Sequence, residues 1–117
     1  MAKILVHRAS GYFLVDAKDV DWIAADDYYA VLHSAGQRHL VRESLTSLAG
    51  RLGPLDFVRV HRSAIVNAHR VREIRNRSDL TTVVLDDGTV LPVSRRRRAS
   101  LVAALRRMAT ATVSSSA

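Results

Sequence analysis

The segment Phe57-Val58-Arg59-Val60-His61-Arg62-Ser63-Ala64-Ile65-Val66-Asn67 sets three basic or titratable side chains and a hydroxyl among core-type residues. Side chains alternate between faces in a strand, so Arg59 and His61 share one face and Val58 and Val60 the other. Arg62 and Ser63 then fall at the strand end, where a turn projects them. An arginine there has the fork geometry to read a guanine edge, and a serine beside it suits a phosphate oxygen. The competing reading is an edge strand with solvated arginines. For His61, set between Val60 and Arg62, a structural hydrogen bond is the favoured role.

A second segment, Pro92-Val93-Ser94-Arg95-Arg96-Arg97-Arg98, puts an expected N-cap, Ser94, ahead of four arginines in a first helical turn. That is the reverse of what a helix dipole favours, since its N-terminus carries about half a positive charge. A bound anion relieves the repulsion, and free backbone N–H groups at a helix start hold phosphate well. Arg95 and Arg98, three residues apart, share a face. Arg96 and Arg97 fall at the margin or face water.

The elements that position these groups follow from pattern. Ile4 to His7 and Tyr12 to Val15 read as strands joined through Ala9-Ser10-Gly11. Asp16 to Asp21 is turn-like, and a strand through Trp22 and Ile23 stops at Asp26-Asp27. Tyr29 to His33 and His39 to Val41 flank Ala35-Gly36 as a hairpin. Val20, Trp22, Val31 and Leu40 are expected on inward faces. Leu45, Leu48 and Leu52 recur at helical spacing, capped by Ser44 and stopped by Gly53-Pro54. Phe57 to His61, Ala64 to Val66 and Val71 to Arg75 return to strand, and Asn76 to Asp79 reads as a polar turn. Thr81 to Leu85 and Val90 to Val93 enclose Asp86-Asp87-Gly88, a hairpin signal. A last helix runs from Ser94 to Met108 with Leu101, Val102, Leu105 and Met108 as its apolar stripe. Residues 1–108 make one domain, and the small, polar tail from Ala109 to Ala117 is expected to be disordered.

Composition bounds the chemistry. The chain has 117 residues, Lys plus Arg 18, Asp plus Glu 11, a formal net charge of +7 and no cysteine. Disulfides, thiolate nucleophiles and cysteine metal sites are therefore excluded. No apolar run approaches the roughly 18–20 residues of a membrane helix, and the start lacks a signal peptide's apolar region. The expected location is cytoplasmic. Residues 1–57 carry six basic and seven acidic side chains, residues 58–117 twelve and four. Sixteen of the eighteen cations are arginine. A nucleic-acid partner fits this asymmetry, and so does a solvated face rich in arginine.

Taken in order, Trp22-Ile23 to Asp26-Asp27-Tyr28-Tyr29, Leu40-Val41-Arg42-Glu43-Ser44-Leu45, Phe57 to Asn67, Leu85-Asp86-Asp87-Gly88 and Pro92-Val93-Ser94-Arg95-Arg96 resemble the LytTR DNA-binding domain family. The resemblance spans roughly Ile4 to Met108. It implies a mainly β, elongated single domain of mostly antiparallel strands in three small sheets, with a short internal helix and a C-terminal helix. It also implies duplex DNA read by loops in successive major grooves. Asp27 and Tyr28 are then candidates in one loop, Arg62 with Ser63 on phosphate in a second, and Arg95 in a third. Such domains serve as output ends of bacterial response regulators and bind paired direct repeats, with two protein copies per site. This sequence departs from the family pattern at Ala24, where many relatives carry glutamate, and at Tyr28, where an imidazole or amide is common.

The resulting expectation is a sequence-specific DNA-binding regulator. Its contact set is Asp27, Tyr28, Arg59, Arg62, Ser63, Ser94, Arg95 and Arg98, with no cofactor, no metal and no enzymatic activity. A basic β-rich RNA-binding module is the alternative, weakened by a chain with one Trp, three Tyr and two Phe as stacking platforms. A small nuclease using His61 with Ser63, or with Asp26 and Asp27, is the remote one, since no H-x-H or H-E-x-x-H spacing is present. No receiver domain accompanies these residues, so a stand-alone regulator and the excised part of a longer one both remain open, the second favoured.

Overall fold

The computed structural model describes residues 2–109. Alternating apolar patterns and short turn signals fold as ten strands: β1 (Lys3–Arg8), β2 (Gly11–Asp16), β3 (Trp22–Asp26), β4 (Tyr29–Ser34), β5 (Gln37–Val41), β6 (Phe57–His61), β7 (Ala64–Asn67), β8 (Val71–Arg77), β9 (Leu80–Leu85) and β10 (Val90–Val93). Helix α1 (Leu45–Leu52) lies between β5 and β6, and α2 (Arg98–Met108) follows β10. Every strand pairing is antiparallel. The expected tail beyond Ala109 lies outside the described residues. No helix among the described residues is long and apolar enough to cross a membrane.

The strands form two hydrogen-bonded sheets where the resemblance implied three. One runs β2-β1-β5-β4-β3-β7-β6 and the other β10-β9-β8. The first hairpin is nearly a sheet of its own, joined to β5 through the single pair His7 and Leu40. That one pair is what merges it with its neighbour.

The long sheet is buried on both faces at β3, β7 and β6. On one, Ile23, Leu32, Phe57 and Ile65 pack with Ile4, Val6 and Val15 of the first hairpin and with Leu45, Leu48 and Leu52 of α1. On the other, Val60, Ala64 and Val66 pack with Val83, Leu85, Leu91, Val93 and Leu101 of the second sheet and α2. Fully burying a side chain of this size is worth roughly 1.5–3 kcal/mol. Val20 and Val31 are buried as expected, but Trp22 and Leu40 are only partly so. Trp22 packs at the rim of the second core and stacks on His33, ring centroids 4.1 Å apart. The second core draws nothing from β5, which leaves Leu40 half-covered.

Helix α1 begins where expected, with Ser44 Oγ accepting the Ser47 N–H at 3.1 Å. Two boundaries differ. Asn76 and Arg77 continue β8, pairing with Thr81 and Leu80, so the turn shortens to Ser78-Asp79 with Ser78 at φ 53°. Arg95–Arg97 form a 3-10 turn, and α2 proper starts only at Arg98. On α2 the buried residues are Leu101 and Ala104 with Leu105 beside them, whereas Val102 faces a shallow surface depression.

Candidate nucleic-acid interface

Strand direction brings the candidate turns together. Asp27-Tyr28 closes the β3–β4 hairpin beyond the pair Asp26 and Tyr29. Arg62-Ser63 closes β6–β7 beyond His61 and Ala64. Because β3 and β7 are antiparallel neighbours, paired at Ala24 and Ala64, both turns lie at the same strand ends. The Ala25 N–H donates to the Ser63 carbonyl at 3.0 Å and fastens them. The second sheet is registered by the Ser94 N–H, which donates to the Val60 carbonyl at 2.8 Å. That bond sets Arg95 to Arg98 beside the Arg62 turn. The β8–β9 turn joins them, since Ser78 and Asp79 line a depression with Arg95 and Arg98.

The molecule extends 54 × 29 × 24 Å, well beyond the roughly 23 Å that its longest strand of seven residues can rise.

Each turn has its own reason for its shape. Asp27 sits in the left-handed region at φ 51°, which aspartate tolerates better than most residues, and Tyr28 at the tip is 90% exposed. In the Arg62 turn, Arg59 acts as a clamp. Its Nε donates to the His61 carbonyl at 3.3 Å, Nη2 to the Arg62 carbonyl at 2.6 Å, and Nη1 to Thr46 Oγ1 of α1 at 3.0 Å. Burial, then the neighbouring Arg97 and Arg96, hold the Arg59 guanidinium below the usual arginine range. Arg59 thus shapes the turn while Arg62 projects from it, exposed.

His61 makes the structural hydrogen bond expected of it. Its Nδ1 accepts the Ser63 N–H at 3.2 Å and lies 2.8 Å from Ser63 Oγ. With Nδ1 an acceptor, the proton of the neutral ring belongs on Nε2, and the Ser63 hydroxyl turns its own proton inward. The β6 bulge between Arg59 and His61 re-aims the strand at this point.

Ser94 occupies the cap position of the 3-10 turn, yet its side chain caps nothing. Its Oγ is buried and makes no hydrogen bond among the described residues. Ser94 therefore contributes through its backbone. Arg95, Arg96 and Arg98 are exposed, and among the described residues neither they nor Arg62 pair with a carboxylate.

Two arginines on this side escaped the sequence reading. Arg42 follows β5 with its guanidinium 5.8 Å from the Tyr29 ring centroid, beside the Tyr28 turn. Arg77, taken there for part of a polar turn, is exposed at the end of β8. Only sheet register reveals that strands far apart in sequence end on one side.

A model of the LytTr DNA-binding domain matches residues 10–106. The chain is 37% identical over 101 residues to the heme-containing CO-sensing transcriptional regulator RcoM 2 of Paraburkholderia xenovorans, covering 85% of this chain and 38% of that protein. It is 29% identical over 94 residues to the sensory transduction protein LytT of Bacillus subtilis, covering 80% and 39%. The chain thus spans about two fifths of the length of these relatives. A solved LytTr DNA-binding domain from Bacillus cereus has the same fold, with TM-score 0.78 at 22% identity over 90% of this chain and 97% of that one. With the family model covering most of its residues, this chain belongs to the LytTr DNA-binding domain family.

Proposed function

We propose that the chain reads a specific duplex sequence as the DNA-binding part of a bacterial cytoplasmic transcription regulator. In this reading Arg62 and Arg95 fork onto guanine edges, and Asp27 with Tyr28 faces bases in a third position. Aspartate is suited to a cytosine amino group and tyrosine to a thymine methyl or a phosphate. Ser63 and Arg98 take phosphates, Ser63 after its hydroxyl swings out from His61. Arg59 and Ser94 position the turns without touching DNA.

The observation that carries this reading is the gathering of the Asp27-Tyr28, Arg62-Ser63 and Arg95–Arg98 turns at one set of strand ends, with Arg62, Arg95, Arg96 and Arg98 unpaired by carboxylates among the described residues. Two copies on direct repeats would extend the footprint, and a regulator longer than this chain would supply the input, a receiver domain in one version.

Selection of preferred duplexes from a random pool tests specificity and repeat spacing together. A recovered motif whose binding survives chelation, leaves DNA uncut and weakens steeply with salt supports the reading. Equal or tighter binding to single-stranded RNA overturns it. So does chelator-sensitive cleavage, which would assign His61 and Ser63 to a nuclease. Among the described residues, no three His, Asp or Glu side chains stand close enough to hold a metal ion.

A further inference from the structure

Two strands carry an exposed arginine near each end, so the same charge stands once beside the candidate turns and once away from them. Arg38 lies near the start of β5, and Arg42 directly follows its last residue, Val41. Arg72 lies near the start of β8 and Arg77 closes it. Among the described residues none of the four pairs with a carboxylate.

Sheet register decides which member of each pair belongs to the interface. Strand β5 pairs with β4 at Val41 and Ala30, and at Arg38 and His33 towards the far end. One further step along that ladder sets Arg42 opposite Tyr29, whose partner on β3 is Asp26. Asp26 and Tyr29 are the last pair before the Asp27-Tyr28 tip. The Arg42 guanidinium lies 5.8 Å from the Tyr29 ring centroid, within reach of that ring's face as a resting place. Glu43 next to it is already committed, accepting from Arg51 at 2.7 and 2.9 Å and from Ser47 Oγ at 2.8 Å. On β8, Arg77 pairs with Leu80 just behind the Ser78-Asp79 tip, which shares a depression with Arg95 and Arg98. Arg75 of the same strand is held by Glu73 at 2.8 Å, which leaves Arg77 as the uncommitted charge at that end.

Both residues stand one ladder step behind a tip. A tip that enters a major groove about 8.5 Å deep leaves the residue behind it near the groove's rim, and the rim is phosphate. Their surroundings also place them on different flanks. The long sheet sets β5 on one side of the β3–β4 and β6–β7 turns, whereas the second sheet attaches through β6, the strand at the far edge.

We propose, resting on the duplex reading above, that Arg42 and Arg77 are phosphate anchors flanking the base-reading turns. Arg42 grips the backbone beside the Tyr28 turn, and Arg77 grips it beside Arg95 to Arg98. Each holds any sequence alike, because a phosphate carries no base identity. Arg38 and Arg72 are their built-in controls. Strand rise sets them about 14 and 17 Å from Arg42 and Arg77, beyond the roughly 10 Å over which exposed charges act at 0.1 M salt.

Titrations of single variants against preferred and random duplexes, across a series of salt concentrations, test this. Arg42→Ala and Arg77→Ala are each expected to weaken both duplexes alike, roughly three- to tenfold at about 0.1 M salt, and to lower the salt slope by about one unit. Arg38→Ala and Arg72→Ala remove the same charge from the opposite strand ends and should stay within about twofold of the unaltered chain. Arg42→Lys and Arg77→Lys should restore the slope, since a point charge serves a phosphate. Circular dichroism and melting should be unchanged throughout, all four side chains being exposed. Alanine variants at 42 and 77 that match their strand-mates overturn the proposal, and so does a loss confined to the preferred duplex. If Arg62→Ala and Arg95→Ala still weaken binding in that case, only the anchors are wrong. If those two are silent as well, the duplex reading of these turns fails and the anchors fall with it.

Discussion

The strand ends on the two sides of this molecule carry opposite electrostatic designs. On one side stand Asp21, Asp56, Asp86 and Asp87, and three of these four carboxylates have a local partner. Arg70 lies 3.8 Å from Asp21, His69 Nε2 lies 3.0 Å from Asp56, and Asp87 accepts the Thr89 N–H at 2.9 Å. On the other side Arg62, Arg95, Arg96 and Arg98 project without carboxylate partners among the described residues. A fold spends its charges where it needs turns and keeps them unspent where a ligand is to supply the counter-charge. Arg59 is the instructive intermediate, lying on the arginine side but committed to carbonyls of its own chain.

Removing an unspent charge should hurt binding and spare stability. Arg62→Ala and Arg95→Ala are each expected to cost roughly 1–3 kcal/mol on a preferred duplex and to flatten base preference. Titration against preferred and random duplexes checks this. If Arg62→Ala lowers both affinities by the same factor, its base-reading assignment is wrong. Arg59→Ala should behave differently, lowering thermal stability by about 1 kcal/mol because two carbonyls and Thr46 lose their donor. Its effect on DNA should be smaller than that of Arg62→Ala, since the reading arginine remains.

Smaller still are the backbone contacts. Ser63→Ala and Arg98→Ala are expected to weaken every sequence alike, by less than about 1 kcal/mol each. Only Arg98→Ala should reduce the salt slope, by about one unit. An equal slope change for both would mean that Ser63 governs a charged contact.

The partnered side gives the smallest effects, and they appear in pH dependence. Burial first, then Arg38 across the ladder, lowers the His33 pKa, while Asp87 and Asp21 oppose the shift. A lowered folded value means that, just below about pH 6.5, the unfolded chain binds a proton the folded chain refuses. Stability from His33 is therefore fully present above that pH and declines as pH falls towards the folded value. His33→Gln should flatten this slope in urea melts. The Thr89 N–H, chiefly, holds the Asp87 carboxyl below its usual range, so its contribution is present above about pH 4 and lost on further acidification. Asp87→Asn should leave DNA affinity unchanged and lower the His33 pKa further, which an NMR titration resolves.

Much of the fold was legible in one dimension. Ala35 and Gly36 form the expected hairpin, at φ 51° and 77°, and Gly88 closes another at φ 91°. These are local matters, because φ/ψ preference, period-two alternation and helix capping act over a few residues. Ser44 caps α1 for the same reason. Ser94 looked equally fit, yet packing against β6 buried its hydroxyl and used its N–H instead. That outcome depends on Val60, more than thirty residues earlier, which no local signal reports.

The amino-acid order thus determined where strands, turns and arginines fall, the absence of cysteine chemistry and the basic character of the second half. Tertiary structure alone decided that β3 lies against β7 and β1 against β5, and hence which turns share a side. The physical reason is range. Backbone preferences are settled between neighbours, whereas sheet order is settled by which apolar faces bury together across tens of residues. Arg62 became the neighbour of Arg95, and Arg42 of Tyr29, only through those distant pairings.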